Sequence, residues 1–480
     1  MAPRSFRIAA AALLVAACTS AQSQSQERTT NDPFPQPIAA ADGAVRVRFA
    51  EFATLPDTGQ PARMMLLTGE PGGRRLFVND MRGVLYAIAA DGTNVATYLD
   101  LTDPKWAVNV QAQNNERGVQ SFAFHPQFNE PGSRGFGRFY TYGDSTNMTP
   151  APDFTAAGAT KPTHDTVLLE WTARTPGGAA YDGAAPREVM RFRQPYANHN
   201  AGHLAFNPLA APGAPDYGLL YMGVADGGSG GDPLDLAQNM ASAFGKILRI
   251  DPLGSNSANK RYGIPASNPF ASAGAGDGTL REIYALGVRN PQRFAWDPAT
   301  GNLFLADIGQ NIVEEVSLVT AGANLGWNDW EGSFRFISRQ AVSLDAPRSD
   351  PKMTYPVVEY GQPDPLLQGS SAVTGVVVYR GTAIAQLSNL VLFGDNPSGE
   401  MFYFNADRLP QGGQDPIRRV LLNDNGTAKT FLQVINEKRQ AAGRPAATRA
   451  DLRFGTGPDN RVFLLNKWDN TIRLLVPDGR

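Results

Sequence analysis

Residues 217–228 read YGLLYMGVADGG, and residues 301–310 read GNLFLADIGQ. Each stretch opens on a turn residue, runs through Leu, Phe or Tyr, and ends on Asp beside Gly. The apolar run is the length of a buried strand, and the flanking Gly and Asp are the residues that tight turns use. The same shape recurs as RRLFVNDMRGVLYAI from Arg74, GRFYTYGDS from Gly137, SNLVLFGDNPSGEMFYF from Ser388 and NRVFLLNKWDNTIRLL from Asn460. Six copies at intervals of roughly 60–90 residues mark a repeat architecture. Each copy reads as a strand, a tight turn and a return strand. The expectation is an all-β chain, a six-bladed β-propeller of four-stranded antiparallel sheets. The stretch Val45 to Phe52 would pair with the last strand and close the ring, which removes exposed sheet edges. Two stacked β domains are the rival arrangement, but no Pro/Ser linker divides the chain. Helix signals are confined to Asp232–Phe244 and Phe431–Ala442.

Composition agrees with many short elements. Of 480 residues, 49 are Gly and 36 are Pro, while 42% are hydrophobic and 18% charged. That supplies a core and ample turns, with no signature of disorder. The formal net charge of −2 and the lack of a basic block make the chain a poor partner for nucleic acid. A single Cys excludes a disulfide framework and multi-Cys metal sites, and four His leave little room for a His-rich centre.

The first residues read as an address. Arg4 and Arg7 precede an apolar run, Ile8 to Cys18, that is too short to span a bilayer. The only Cys ends that run in Val15-Ala16-Ala17-Cys18, which resembles a lipobox. The expected organisation is a lipoprotein-type signal peptide over 1–18, a tether over 19–42 and the propeller over 43–480. Cys18 would carry the lipid, the only membrane attachment, and the protein would be exported to the periplasm. The plainer alternative is an ordinary signal peptide cut after Ala21.

In a propeller, function gathers where loops of successive blades meet at one mouth. The polar residues just after the first strand of each copy are therefore the candidates. His199 stands in NHNAGHLAFNP, and Asp226 begins the turn one hairpin later. A His oriented by a carboxylate can take a proton from an alcohol; equally, such a pair can merely tie two strand ends together. Arg289-Asn290 follows a Tyr/Leu-rich stretch, and Arg offers a planar cationic fork to a carboxylate. Trp327 and Trp330 read as packing between blades, His125 and His203 as structural or peripheral, and Lys246 and Arg249 as strand-face charges, solvated or paired.

Taken together, the stretches from Asn198 to Gly332, with ERGVQSFAFHP from Glu116 and SAVTGVVVYRG from Ser371, resemble the soluble quinoprotein glucose/sorbosone dehydrogenases, PQQ-dependent aldose sugar dehydrogenases. The resemblance covers roughly residues 45–475 and implies a six-bladed propeller. It implies His199 as general base and Asp226 as its partner. Arg289, Asn290 and Arg380 would hold the PQQ carboxylates, and Glu116 would border the sugar. Backbone carbonyls of Gly309 and Gln310 would ligate Ca²⁺, a cation that accepts such oxygens and polarises a quinone carbonyl. Partners would be a small-molecule sugar and a periplasmic electron acceptor.

One stretch speaks against this. Residues 394–401 contain no Arg or Lys, and Glu400 stands where a cation is expected. A carboxylate pointing inward there would repel a tricarboxylate. A non-redox propeller binding carbohydrate or protein therefore remains a second reading, and a PQQ-free lyase or hydrolase of a sugar or lactone a third.

Overall fold

The computed structural model describes residues 26–113, 116–159, 163–200, 202–274 and 276–477. Cys18 and the signal segment lie outside these. Among the described residues, six four-stranded antiparallel units follow one another along the chain. The first joins Met64–Gly69, Leu76–Asp80, Val84–Ile88 and Val95–Asp100; the second Val119–Phe124, Arg138–Ser145, Asp165–Thr172 and Arg187–Arg193. The third joins Leu204–Phe206, Leu220–Val224, Lys246–Ile250 and Ile283–Leu286; the fourth Pro291–Trp296, Leu303–Asp307, Val313–Val319 and Val358–Gly361. The fifth runs Val373–Tyr379, Leu390–Asp395, Met401–Asn405 and Arg418–Asp424. The sixth takes Arg453–Thr456, Val462–Leu465 and Thr471–Val476, and its fourth strand is Val45–Thr54 from near the start of the chain. Contacts between neighbouring sheets run in a closed cycle, and the first strand of the sixth meets the first strand of the first. The result is a β-propeller.

The six sequence copies are the second strands of the six sheets. A short turn does follow them in sheets one, four, five and six. In sheets two and three the return strand waits until Asp165 and Lys246, and the intervening segments build loops at one end of the ring. The stretch Asp232–Phe244 forms turns rather than a helix. The Asp232 carboxylate captures the amides of Leu236 and Ala237, and the Lys246 ammonium gathers the carbonyls of Leu236, Ala237 and Phe244 at 2.8–2.9 Å. Lys246 is thus fully buried, not solvated on a strand face. A helix does form over Phe431–Ala441, where Thr430 and Gln433 make a reciprocal capping box and Phe431, Val434 and Ile435 face inward.

The core consists of layers between adjacent sheets. Sheets four and five enclose Phe304, Val316, Tyr360, Val376, Val391, Phe393 and Phe402, all buried. Strands buried on both faces explain why the copies read as continuous apolar runs rather than strict alternations. The segment expected to be a tether is packed over its described part. Thr29–Thr30 pair with Val342 and Ser343, and Ile38 is buried with its amide donating to Asp364. Phe34 meets Phe334 edge-on, so apolar residues within that stretch hold it against the fourth sheet.

Candidate active site

At or beside the end of every second strand stands a buried Asp or Asn: Asp80, Asp144, Asp226, Asp307, Asp395 and Asn466. Four of these pin the backbone that leads into the first strand of the same sheet. Asp80 accepts from the amide of Arg63, Asp144 from Gly118, Asp395 from Ala372, and Asp307 from both Arg289 and Asn290 at 2.8 and 2.6 Å. Asp226 departs from this pattern. Its carboxylate meets a side chain: Nδ1 of His199 lies 2.6 Å from Oδ1. Oδ1 also accepts from the amide of Gly228, and Oδ2 accepts from Nε1 of Trp327 at 2.9 Å. Burial opposes ionisation, yet His199 and Arg289 hold the Asp226 carboxyl below its usual value.

His199 itself sits at φ 57°, in the left-handed region, a conformation that surrounding contacts must enforce. Its amide donates to Oε2 of Glu116 at 2.6 Å. The tautomer follows from the partners. Nδ1 faces a carboxylate and carries the proton, while Nε2 faces Nη2 of Arg289 at 2.9 Å and accepts. Arg289 also donates to the carbonyl of Ile308 and lies over the Trp327 ring. The one lone pair available for base chemistry is thus covered by a guanidinium.

These groups open into a cavity of about 480 Å³ at the mouth of the ring. Glu116, His199, Arg289, Asn290, Gly309 and Gln310, all singled out from sequence, line it together. Arg380 does not. It follows the first strand of the fifth sheet at the other end of the ring, where it pairs with Asp297 at 2.6 Å and Asp407 at 2.5 Å. Arg380→Ala is expected to leave ligand binding at the mouth unchanged and to lower stability by about 1–3 kcal/mol, because the buried Asp297 loses its cation. Denaturant unfolding beside a binding titration checks both.

The objection raised by Glu400 also falls. Its carboxylate is held in a two-pronged pair by Arg419 at 2.8 and 2.9 Å. The cations missing from 394–401 come instead from the sixth sheet: Arg449, Arg453 and Lys467 all line the cavity. Arg449 donates to Asn396 at 2.6 Å, which ties that cation to the very stretch that lacks one. Nε of Arg453 is buried without a partner among the described residues. Burial, reinforced by Arg453, Arg63 and Arg449 and opposed by Asp451, pushes Lys467 down to about 7. Lys467 stands two residues past a second strand, as Asp226 and Gly309 stand two residues past theirs, so NRVFLLNKWDN contained the signal. Arg449 precedes a first strand, as Arg289 does, and Arg453 opens the same strand.

A planar polyanion with several carboxylates fits this mouth, since four cations and the amides of Asn290, Gln292 and Asn396 surround it and Glu116 is the carboxylate on its wall. The turn after Asp307 has a matching polarity. One oxygen of Glu331 accepts from the amides of Gln310, Asn311, Ile312 and Val313 at 2.8–3.0 Å. With those amides turned onto Glu331, the carbonyls of Gly309 and Gln310 remain to serve a cation. Gly309 has no room for a side chain, because a Cβ there would run into the Val313 carbonyl. No group of three or more His, Cys, Asp or Glu is arranged to hold a metal ion among the described residues, so carbonyl oxygens and a bound anion would have to hold Ca²⁺.

The model of the Glucose / Sorbosone dehydrogenase family matches residues 60–409. HIPL1 protein of Arabidopsis thaliana is 28% identical over 373 residues, covering 71% of this chain and 52% of its own. The chain spans about half the length of the curated relatives it matches. Two solved structures share the fold over 90% of this chain. They are the PQQ-bound aldose sugar dehydrogenase of Streptomyces coelicolor (19% identity, TM-score 0.55, 98% of that chain) and the apo-form soluble aldose sugar dehydrogenase of Escherichia coli (17%, 0.59, 99%).

Proposed function

Because the chain belongs to the glucose/sorbosone dehydrogenase family, we propose that it is a PQQ- and calcium-dependent oxidoreductase that oxidises an aldose or a related sugar or alcohol. The observation that carries this reading is the buried Asp226–His199–Arg289 chain opening into a mouth ringed by Arg289, Arg449, Arg453 and Lys467. Bound PQQ would supply the acceptor for the hydride, with Ca²⁺ on the Gly309 and Gln310 carbonyls raising its electrophilicity. Arg289, Arg453 and Lys467 bind carboxylates and Asn290 offers an amide to the same ligand. An anion that draws Arg289 toward itself uncovers Nε2 of His199, which then takes the sugar hydroxyl proton. Asp226 keeps Nδ1 protonated and stabilises the imidazolium that results. Glu116 fixes the His199 backbone at the rim. Export, lipid attachment at Cys18 and transfer to a periplasmic acceptor belong to the same proposal.

Calorimetric titration of PQQ, with and without calcium, tests it. Calcium-dependent binding of about −8 kcal/mol or better is expected, equivalent to micromolar or tighter. Binding that favours charged Lys467 must take up a proton once the pH exceeds the lysine's free value of about 7. Affinity is therefore expected to be fullest below pH 7 and to fall by up to tenfold per unit above it. The absence of binding in any buffer overturns the redox reading in favour of a binding module.

A further inference from the structure

A second, larger cavity of about 750 Å³ enters the ring from the opposite end, within the range that holds small-molecule ligands. The first strand of every sheet contributes to its wall, through Leu66, Phe122, Phe206, Trp296, Val376 and Phe454. Its inner end is polar in an unusual way. Arg293, from the fourth sheet, crosses the axis of the ring. Its Nη2 donates to the carbonyl of Met65 in the first sheet at 2.6 Å and to that of Gln120 in the second at 3.4 Å. Gln120 and Gln292, the neighbour of Arg293, line the His199 mouth, so Arg293 forms a partition between the two cavities.

This guanidinium is 3% exposed, and among the described residues no carboxylate pairs with it. Among the described residues its Nε has no partner, its Nη1 donates to the Gln292 carbonyl, and Arg453 is the charge beside it. Beside it on the wall stands His203, 8% exposed. Nδ1 of His203 accepts from the amide of Phe294 at 3.1 Å, so the proton is on Nε2, which meets no acceptor among the described residues. Burial, with Arg293 adding to it, keeps the ring neutral. Of the other ionisable wall residues, Glu70 is committed to Arg75, Arg461 donates to the Ala90 carbonyl, Tyr217 is half-buried and Glu130 is exposed. The tunnel therefore pairs an apolar barrel with an inner end that offers only donors and an uncompensated positive charge. Buried charge of this kind calls for a counter-ion.

We propose that this tunnel binds an amphipathic carboxylate, with its headgroup toward Arg293 and His203 and its hydrocarbon chain along the six first strands. The proposal is independent of the dehydrogenase reading, since the groups it places against the ligand, Arg293, His203 and the apolar side chains of the six first strands, do not line the His199 mouth.

Trp296 on the wall gives a direct readout. With 12-bromododecanoate as the probe, saturable quenching of tryptophan fluorescence is expected at micromolar concentration. The quenching should be lost in Trp296→Phe, which leaves the other five Trp in place. Dodecanoate should compete at least tenfold more strongly than its methyl ester, and Arg293→Met should erase that preference. If Arg293→Met fails to fold, judged by circular dichroism, the acid-to-ester ratio of the natural protein decides alone. Quenching that never saturates, quenching that survives in Trp296→Phe, or equal competition by acid and ester each overturns the proposal. PQQ titrated into the dodecanoate-saturated protein should bind as before, which separates failure here from failure at the other mouth.

Discussion

His199→Ala is expected to reduce PQQ-dependent sugar oxidation by about 100- to 10,000-fold, the span of a positioned general base. The fold should survive, because among the described residues the imidazole bonds only to Asp226 and Arg289, and what holds the loop is the backbone bond from the His199 amide to Glu116. Removing the ring also releases Arg289 from Nε2. Anion binding in the variant should then be equal to or slightly tighter than in the parent, since Arg289 no longer has to leave a partner. The decisive pattern is a collapsed kcat with PQQ affinity retained, read by dye reduction and calorimetry on the same preparation. Turnover within a few-fold of the parent would remove His199 from the chemistry and leave Asp226–His199 as a tie between strand ends.

That alternative has force because four sheets show what a plain tie looks like. Asp80, Asp144, Asp307 and Asp395 each cap backbone amides ahead of their own first strand. The repeat made these positions legible in sequence: every copy ends in the same Asp or Asn, and the strands came with it. Asp226 was legible as a member of the series, but its exceptional role was not, since that depends on the left-handed turn at His199 placing a ring where an amide would otherwise stand. The error over Arg380 has a related origin. An Arg beyond a buried strand says nothing about which end of the ring it occupies, and seven residues of extended chain carry it from the Ala372 end to the Asp297 end. The missing cations were sought near Glu400 in sequence. In space they arrive from the next sheet, because adjacent sheets share the mouth. The two long loops after the second strands of sheets two and three are hidden from periodicity, and in sheet three the turns are held by the Asp232 carboxylate and the buried Lys246, bonds that periodicity does not report.

Asp226→Asn is expected to lower kcat by about 1,000-fold or more, through the tautomer rather than through charge alone. The carboxylate accepts three bonds, from His199 Nδ1, the Gly228 amide and Trp327 Nε1. An amide has one oxygen and must choose. If that oxygen serves His199 and Gly228, the NH₂ group faces the indole N–H, and two donors meet in a buried site. If it serves Trp327, the NH₂ group faces both the Gly228 amide and Nδ1. His199 then accepts at Nδ1 and carries its proton on Nε2, where it can neither act as a base nor accept from Arg289. Either arrangement leaves a buried donor unsatisfied, at about 1–3 kcal/mol of stability. The change sits behind His199, away from the cavity wall, so PQQ affinity and KM for sugar should change little while kcat falls. A Trp327→Phe background separates the two arrangements. With the indole donor gone, the asparagine oxygen is free to serve His199 and Gly228, and the double variant should regain part of the kcat lost by Asp226→Asn. A double variant no better than Asp226→Asn would mean that the negative charge, and not the tautomer it enforces, is what the imidazole requires.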